Sequence, residues 1–523
     1  MKRRKISNLS LFFGGILVGF SIYFLIWGIG FIGNHSYLIF FLSSLFGIFM
    51  AFNIGGNDVA NSFGTSVGAG TLTIKQALCI AAIFEVSGAV IAGGEVTDTI
   101  RNKIVNLDGY GLNANDLVCI MMSALISAGL WLLLATKKGW PVSTTHSIIG
   151  GIMGASLTYG IVLQGFSIHS FDIVKWGKIG SIAISWILSP LLGAIAAYVI
   201  YYYIKRYILR YNEIAQIKID RLKRDKKAFK KEHKKAFEAM NELQKLAYNE
   251  AMDRDERTLK EDDVNPEELE SEYYKKIHEF DERKERLKTH KALEVGVPLV
   301  AAFGAVVISF MLIFKGLKNL HLNLSLFENV LIVAMIGAVV WIGTYTLAKT
   351  LRRDNLDKST FFMFSGLQVF TAAGFAFSHG SNDIANAVGP FAAIIDALST
   401  GTINPSSPVQ PIVMITFAVA LISGLWFIGR EVIETVGTHL TKLHPASGFS
   451  AELSAASVVI TASLIGLPVS STHILIGAVL GVGIVNKSAN WGLMKPIALA
   501  WIITIPASII IASAGFLIFK NIF

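Results

Sequence analysis

Two short polar strings interrupt apolar stretches of this chain, and each occurs twice. The first reads Pro141-Val142-Ser143-Thr144-Thr145-His146 and returns as Pro468-Val469-Ser470-Ser471-Thr472-His473. Proline is favoured in the first turn of a helix and Ser/Thr at its cap. Three successive hydroxyl residues with free backbone N–H groups behind them make an uncharged anion cradle. Neither string contains Lys or Arg, which suits an anion that must leave again. Two cradles, one from each copy, could clasp one tetrahedral oxyanion. Plain capping of a buried helix would use the same residues.

The second string is Asn57-Asp58 followed by Asn61, and it returns as Asn382-Asp383 followed by Asn386. Carboxylates and carboxamides in an apolar setting are costly and seldom idle. At i, i+1 and i+4 the two Asn residues share a helix face with the Asp beside them. Each cluster offers several oxygens and one negative charge, which suits a hard cation such as Na⁺. Capping of a half-helix is the bland alternative. Asp58 and Asp383 facing a multivalent anion at low dielectric would repel it. Cations must therefore arrive with the anion, or protons must neutralise the site. His146 and His473 directly follow the cradles; each is either a packed imidazole or a proton-linked group. Glu85, inside an apolar run, and Glu452, beside another, are candidates for coupling or gating. Glu95 and Asp98 are expected at a membrane edge.

The elements that must position these groups can be read from the patterning. The two strings recur in the same order, at offsets of 325 and 327 residues. Between them, residues 87–100 faintly echo 423–436. Two unusual strings at nearly one spacing indicate duplication. Duplicated halves with interrupted hydrophobic segments are the pattern of secondary transporters, whose sites lie near the midplane where the halves meet.

The 523 residues are 53% hydrophobic and 16% charged, and the mean hydropathy is +0.55. Residues 205–292 hold 45 of the 83 charged side chains. This excludes a soluble globular enzyme and a disordered chain. It leaves an all-α polytopic membrane protein with one polar insertion. Candidate spans lie near 10–33, 37–55, 76–94, 115–136, 148–165, 178–204, 295–315, 326–348, 361–378, 410–428, 452–466, 474–486 and 492–517. Several are short or broken by Gly and Pro, so about 12 crossings with re-entrant or discontinuous pieces are expected.

The organisation we expect is an extra membrane helix in 1–36, a first repeat in 37–204 and a charged helical loop in 205–292. Linking helices follow in 293–360 and a second repeat in 361–523. The loop reads as a helical hairpin or bundle turning near Pro266, with an acidic middle from Glu261 to Glu268. Lys2 to Lys5 and the basic start of the loop place the N-terminus and the loop in the cytoplasm. The net charge of +9 reflects this bias rather than nucleic-acid binding. Cys79 and Cys119 suggest neither a disulfide framework nor a zinc site.

On these residues the chain resembles the inorganic phosphate transporter (PiT) family. The resemblance rests on GGNDVANSFGTSVGAG at 55–70, SHGSNDIANAVGP at 378–390 and both P-V-S-x-T-H strings. FEVSGAV at 84–90 and SGFSAEL at 447–453 add to it. It covers roughly 37–204 and 361–517. It implies a cation-coupled phosphate symporter of about 12 helices, built as inverted repeats around a polar cytoplasmic loop. Carried over by motif, Asp58, Asn61, Asp383 and Asn386 would serve the cation and phosphate. Ser143, Thr144, Thr145, Ser470, Ser471 and Thr472 would hold the phosphate. Glu85 and Glu452 match acidic positions important for transport in the family. Gly56 stands where Ala is commoner, and the 10–33 span precedes the family's usual first helix.

The expectation is phosphate uptake by Na⁺ or H⁺ symport with alternating access, in the cytoplasmic (inner) membrane. Asn57, Asp58, Asn382 and Asp383 are the expected cation ligands, and Asn61 and Asn386 join the phosphate set. No cofactor and no enzymatic activity are expected. The expected partners are phosphate, a monovalent cation and membrane lipid, with no nucleic acid; a homodimer is compatible. The nearest rival is sulfate or another tetrahedral oxyanion. More distant are an intramembrane enzyme acting on a lipid phosphate and a phosphate sensor using the 205–292 block.

Overall fold

The computed structural model describes residues 8–33, 36–106, 111–259, 268–287, 290–319, 324–351, 355–403, 409–435 and 443–523. Among them there are helices and no strand, only an isolated bridge between Val105 and Val174. Twelve helices among the described residues are long and apolar enough to cross a membrane, and Ser471–Asn486 is a shorter apolar one. The polarity is inside out. Asp58, Glu85, Asp383 and Glu452 are buried, while Ile26, Ile187, Ile502 and Ile510 are exposed. Large apolar side chains left this exposed on membrane-length helices call for lipid. The chain is an integral, multi-pass membrane protein.

In chain order the helices begin with α1 (Asn8–Ile32), α2 (Tyr37–Ile54), α3 (Ala60–Gly68), α4 (Ile74–Ala92) and α5 (Gly94–Asn102). Then come α6 (Ala114–Lys137), α7 (Thr144–Gln164), α8 (Trp176–Ile204), α9 (Arg210–Glu238), α10 (Glu242–Thr258) and α11 (Glu272–Arg286). After these lie α12 (Val297–Asn319), α13 (Leu326–Thr350), α14 (Leu356–Asp383), α15 (Ala385–Thr400) and α16 (Pro411–Ile428). The last are α17 (Arg430–Glu434), α18 (Pro445–Leu464), α19 (Ser471–Asn486) and α20 (Trp491–Ile522). Short π-helical turns, Gly55–Val59 and Lys205–Leu209, join α2 to α3 and α8 to α9. The expected spans at 37–55 and 361–378 therefore run on through their polar strings, as 37–68 and 356–400. The strings stay helical, but each sits at a defect, a π-turn in one copy and a break at Ile384 in the other.

Two compact units divide the chain. The smaller comprises Tyr203–Ala302 and Val339–Met363. In it α9 and α10 are separated at 239–241, where Asn241 and Gln244 form a capping box. Phe229 lies against Tyr273 and Phe280, with ring centroids 6.0 and 6.2 Å apart. Asp255 fixes the approach to α11 by accepting bonds from the backbone N–H groups of Glu270 (2.8 Å) and Ser271 (2.7 Å). Burial alone would raise its pKa, but the Ser271 hydroxyl and those two N–H groups hold the carboxyl below its usual range. Pro266 and the acidic run from Glu261 to Glu267 lie outside the described residues.

The larger unit comprises Met1–Tyr202, Phe303–Ala338 and Phe364–Phe523. Its halves are interleaved. A Cβ on Gly55 would lie 1.7 Å from the Leu421 carbonyl oxygen, and one on Gly424 would lie 1.7 Å from that of Phe52. Thus α2 of the first half crosses α16 of the second, backbone on backbone. The reciprocal crossing joins α4 and α14, where Gly88 meets Phe377 (2.1 Å) and Gly380 meets Glu85 (2.2 Å). The echo at 87–100 and 423–436 begins in α4 and α16, the helices that cross α14 and α2. The same exchange recurs with α7 on α20 and α19 on α8, through Gly154 against Ile509 and Gly481 against Ala194. Arg101 and Asp396, both buried and 3.0 Å apart, tie α5 to α15. Helix α1, absent from the duplicated pattern, lays Phe24 against Phe391 and Phe417.

Candidate functional site

Each cradle begins at a proline loop that leads into a helix. Ser143 caps α7 by accepting from the His146 N–H at 3.1 Å, and Ser470 caps α19 by accepting from the His473 N–H at 3.2 Å. The capping geometry is therefore realised in both copies, and a hydroxyl used this way still has a proton to donate. The next hydroxyl in each string points at its own half's carboxylate. Thr144 donates to Asp58, and Ser471 donates to Asp383.

The third hydroxyl joins the halves. Thr472 donates to Asp58 at 2.8 Å, so this carboxylate takes one hydroxyl from each copy. Thr145 donates to the Val469 carbonyl at 2.8 Å and lies 3.4 Å from the Asn386 amide nitrogen. The two imidazoles behind the cradles meet, with the His146 and His473 ring centroids 4.6 Å apart. Each also packs on a tryptophan, Trp186 at 3.9 Å and Trp501 at 3.8 Å. These tryptophans form a further repeated feature, Trp176-Gly177 with Trp186 and Trp491-Gly492 with Trp501, at an offset of 315.

The carboxylates are not equivalent. His379 Nε2 lies 2.7 Å from Asp383, and its Nδ1 lies 2.8 Å from Glu85. Ligand atoms of Asp58, His379 and Asp383 all fall within 4.8 Å of one another, a spacing at which one cation could bridge them. Asp383 Oδ1 and Asn386 Oδ1 are buried acceptors without a partner among the described residues. Such orphans are costly in an apolar interior and suit an incoming cation. His379 was not singled out in the sequence, although its i, i+4 spacing to Asp383 was a signal for it.

Glu452 lies inside α18 and is fully buried. It accepts from Thr65 (2.7 Å), Ser66 (2.5 Å), Gln368 (3.1 Å) and Thr371 (2.8 Å). A buried carboxylate with four neutral donors is satisfied without a cation partner. Gln368 and these three hydroxyls went unremarked in the sequence because no repeat marks them. Asn57 and Asn382 both turn toward the proline loops. The side chain of Asn61 lies outside the described residues.

All the candidates with described side chains are thus buried, and both cradles share one polar centre. A polytopic helical protein whose duplicated, interleaved halves converge on a buried oxygen-rich centre has the architecture of a membrane transporter. A family model described as the phosphate transporter family matches residues 54–512. A Mycobacterium bovis protein that carries a phosphate-permease name is 56% identical over 514 residues, which is 98% of this chain and 93% of that protein. One from Haemophilus influenzae, also named for a phosphate permease, is 33% identical over 497 residues, 93% of this chain and 98% of the relative. A solved structure, the sodium-dependent phosphate transporter, superposes with a TM-score of 0.70 at 28% identity. That match covers 93% of this chain and 100% of the other. The chain belongs to the phosphate transporter family, as its paired motifs imply.

Proposed function

We propose that this protein moves inorganic phosphate across the membrane by symport with a monovalent cation, through alternating exposure of the shared centre. One observation carries the assignment of the site: Asp58 accepts a hydroxyl from each half, Thr144 from one and Thr472 from the other. A group held by both halves is remade whenever they move past each other. The sodium-dependent solved relative and the oxygen-rich surroundings of Asp58 and Asp383 favour Na⁺ over H⁺. The phosphate ligands are the hydroxyls of Ser143, Thr144, Thr145, Ser470, Ser471 and Thr472 with Asn386. The membrane is the cytoplasmic one, with the N-terminus and the 205–292 block inside, because basic residues flank the spans there.

Phosphate is favoured over sulfate for a chemical reason. Near neutral pH phosphate has a proton to donate and sulfate has none. Asp58 and Asp383 can accept that proton's hydrogen bond, whereas they would oppose sulfate's bare oxygens. The test is radiolabelled phosphate uptake into proteoliposomes, with and without Na⁺ at two pH values, challenged with excess sulfate. Na⁺-stimulated uptake that sulfate barely inhibits is expected. Equal inhibition by sulfate would make the protein a general oxyanion permease, and hydrolysis of a phosphate ester would point to an enzyme instead.

Thr145→Val and Thr472→Val are each expected to weaken phosphate binding. Each removes one buried hydroxyl donor, a loss of about 1–3 kcal/mol. At about 1.4 kcal/mol per tenfold, half-saturation for phosphate rises about 5- to 150-fold. Wild-type concentration dependence in both variants would refute the cradle.

A further inference from the structure

Asn57 and Asn382 carry the same three hydrogen bonds in the two halves. The Asn57 amide donates to Thr136 Oγ1 (3.1 Å) and to the Trp140 carbonyl (3.0 Å), and its oxygen accepts from the Val142 N–H (3.1 Å). The Asn382 amide donates to Ser463 Oγ (2.8 Å) and the Leu467 carbonyl (3.3 Å), and its oxygen accepts from the Val469 N–H (3.4 Å). Both side chains are buried.

The backbone groups they reach flank Pro141 and Pro468, the residues that open the cradles. Proline has no N–H, and the chain at these points has left one helix without yet entering the next. At membrane depth no water satisfies the exposed carbonyl and N–H. A carboxamide has the donor and acceptor of a peptide group on a single plane, so it can stand in for the missing strand of backbone. Thr136 and Ser463 anchor its second N–H to the preceding helix, α6 or α18. The contrast with Asn386 is direct, because that side chain's oxygen has no partner among the described residues while those of Asn57 and Asn382 are engaged.

We propose that Asn57 and Asn382 are positioning residues that suspend the two proline loops, and so set the hydroxyl triplets at phosphate spacing, rather than cation ligands. This departs from the cation role the motif suggests. It rests on the phosphate symport reading and deepens it by dividing the Asn-Asp pair. The Asn holds its own half's cradle from behind, while the neighbouring Asp meets the ion in front. In the first half that Asp also bonds the opposite cradle, through Thr472.

The test uses the full-length protein in proteoliposomes, with Asn57→Ala, Asn382→Ala, Thr136→Val and Ser463→Ala compared against wild type. The latter two release the clamp from its far end, leave the carboxamide in place and change little volume. Two readouts are needed, phosphate half-saturation at saturating Na⁺ and ²²Na⁺ binding without phosphate. We expect phosphate half-saturation to rise about tenfold in the Asn variants. A smaller rise is expected in Thr136→Val and Ser463→Ala, and Na⁺ binding should stay within about twofold throughout. Lost Na⁺ binding at unchanged phosphate half-saturation would overturn the proposal. So would defective Asn variants beside wild-type behaviour of Thr136→Val and Ser463→Ala. A wild-type protein that takes up no phosphate would instead remove the symport reading itself.

Discussion

Asp58→Asn is expected to abolish Na⁺-coupled phosphate uptake while leaving the protein folded, and Asp383→Asn is expected to do the same. Each change keeps the side chain's size and removes its charge. At Asp58 the carboxylate accepts from Thr144 and Thr472. An asparagine has one oxygen for these two hydroxyls and turns an amide toward the other. At Asp383 the loss also strips His379 of one of its two carboxylates, Glu85 being the other. Removing one member of a buried, hydrogen-bonded charge group costs about 2–5 kcal/mol, or about 30- to 3,000-fold in affinity. The wild-type centre holds two carboxylates close together, and their repulsion at low dielectric must be relieved by a cation before a multivalent anion can settle. Uptake in proteoliposomes measures the loss, and thermal unfolding in detergent checks that the variants are folded. Na⁺-stimulated uptake at the wild-type rate in either variant would remove the carboxylates from the cation site.

The repeated strings were legible because duplication preserved both the residue types and their spacing. Hydroxyls and carboxylates in apolar surroundings are conspicuous, and two copies at offsets of 325 and 327 remove chance as an explanation. What the strings touch was not legible. Asn57 and Asp58 are neighbours of similar size, and only the fold shows that one faces a proline loop and the other a hydroxyl from the opposite half. His379 was hidden by the very comparison that found the motifs. Its counterpart at the same offset is Ile54, and a search for agreement between halves passes over a residue present in one. Glu85 also lacks a counterpart, Leu421 standing across the 87–100 echo, but a carboxylate inside an apolar run was conspicuous without one. Glu85 and His379, the asymmetric partners of the duplicated Asp383, therefore lie where the two halves have diverged. The tryptophan pair was lost for another reason. Its offset of 315 departs from 327, so it drops out of register with the cradles that it packs behind.

The interleaving of the halves yields the second large effect. Gly55→Ala and Gly424→Ala are each expected to prevent assembly of the larger unit. In both cases the new methyl carbon would fall 1.7 Å from a carbonyl oxygen of the crossing helix, Leu421 for one and Phe52 for the other. A flexible side chain could move aside, but here the obstacle is backbone inside a continuous helix. Relief would require α2 and α16 to separate by more than an ångström along their crossing. The π-turn carrying Asn57 and Asp58 begins at Gly55 itself. Any separation therefore displaces the motif from the cradles as well as breaking the contact. Overpacking a close-packed core costs about 1–3 kcal/mol when side chains can adjust, and more when they cannot. Gly180→Ala and Gly343→Ala are the matched controls, since a Cβ at either position meets nothing within 4 Å. The yield of monodisperse protein and its unfolding temperature should fall sharply in the first pair and hold in the second. Wild-type yield and unfolding temperature in Gly55→Ala and Gly424→Ala would show that the halves do not cross at these glycines. The hydroxyls of Thr144 and Thr472 would then lose the common scaffold that brings both to Asp58.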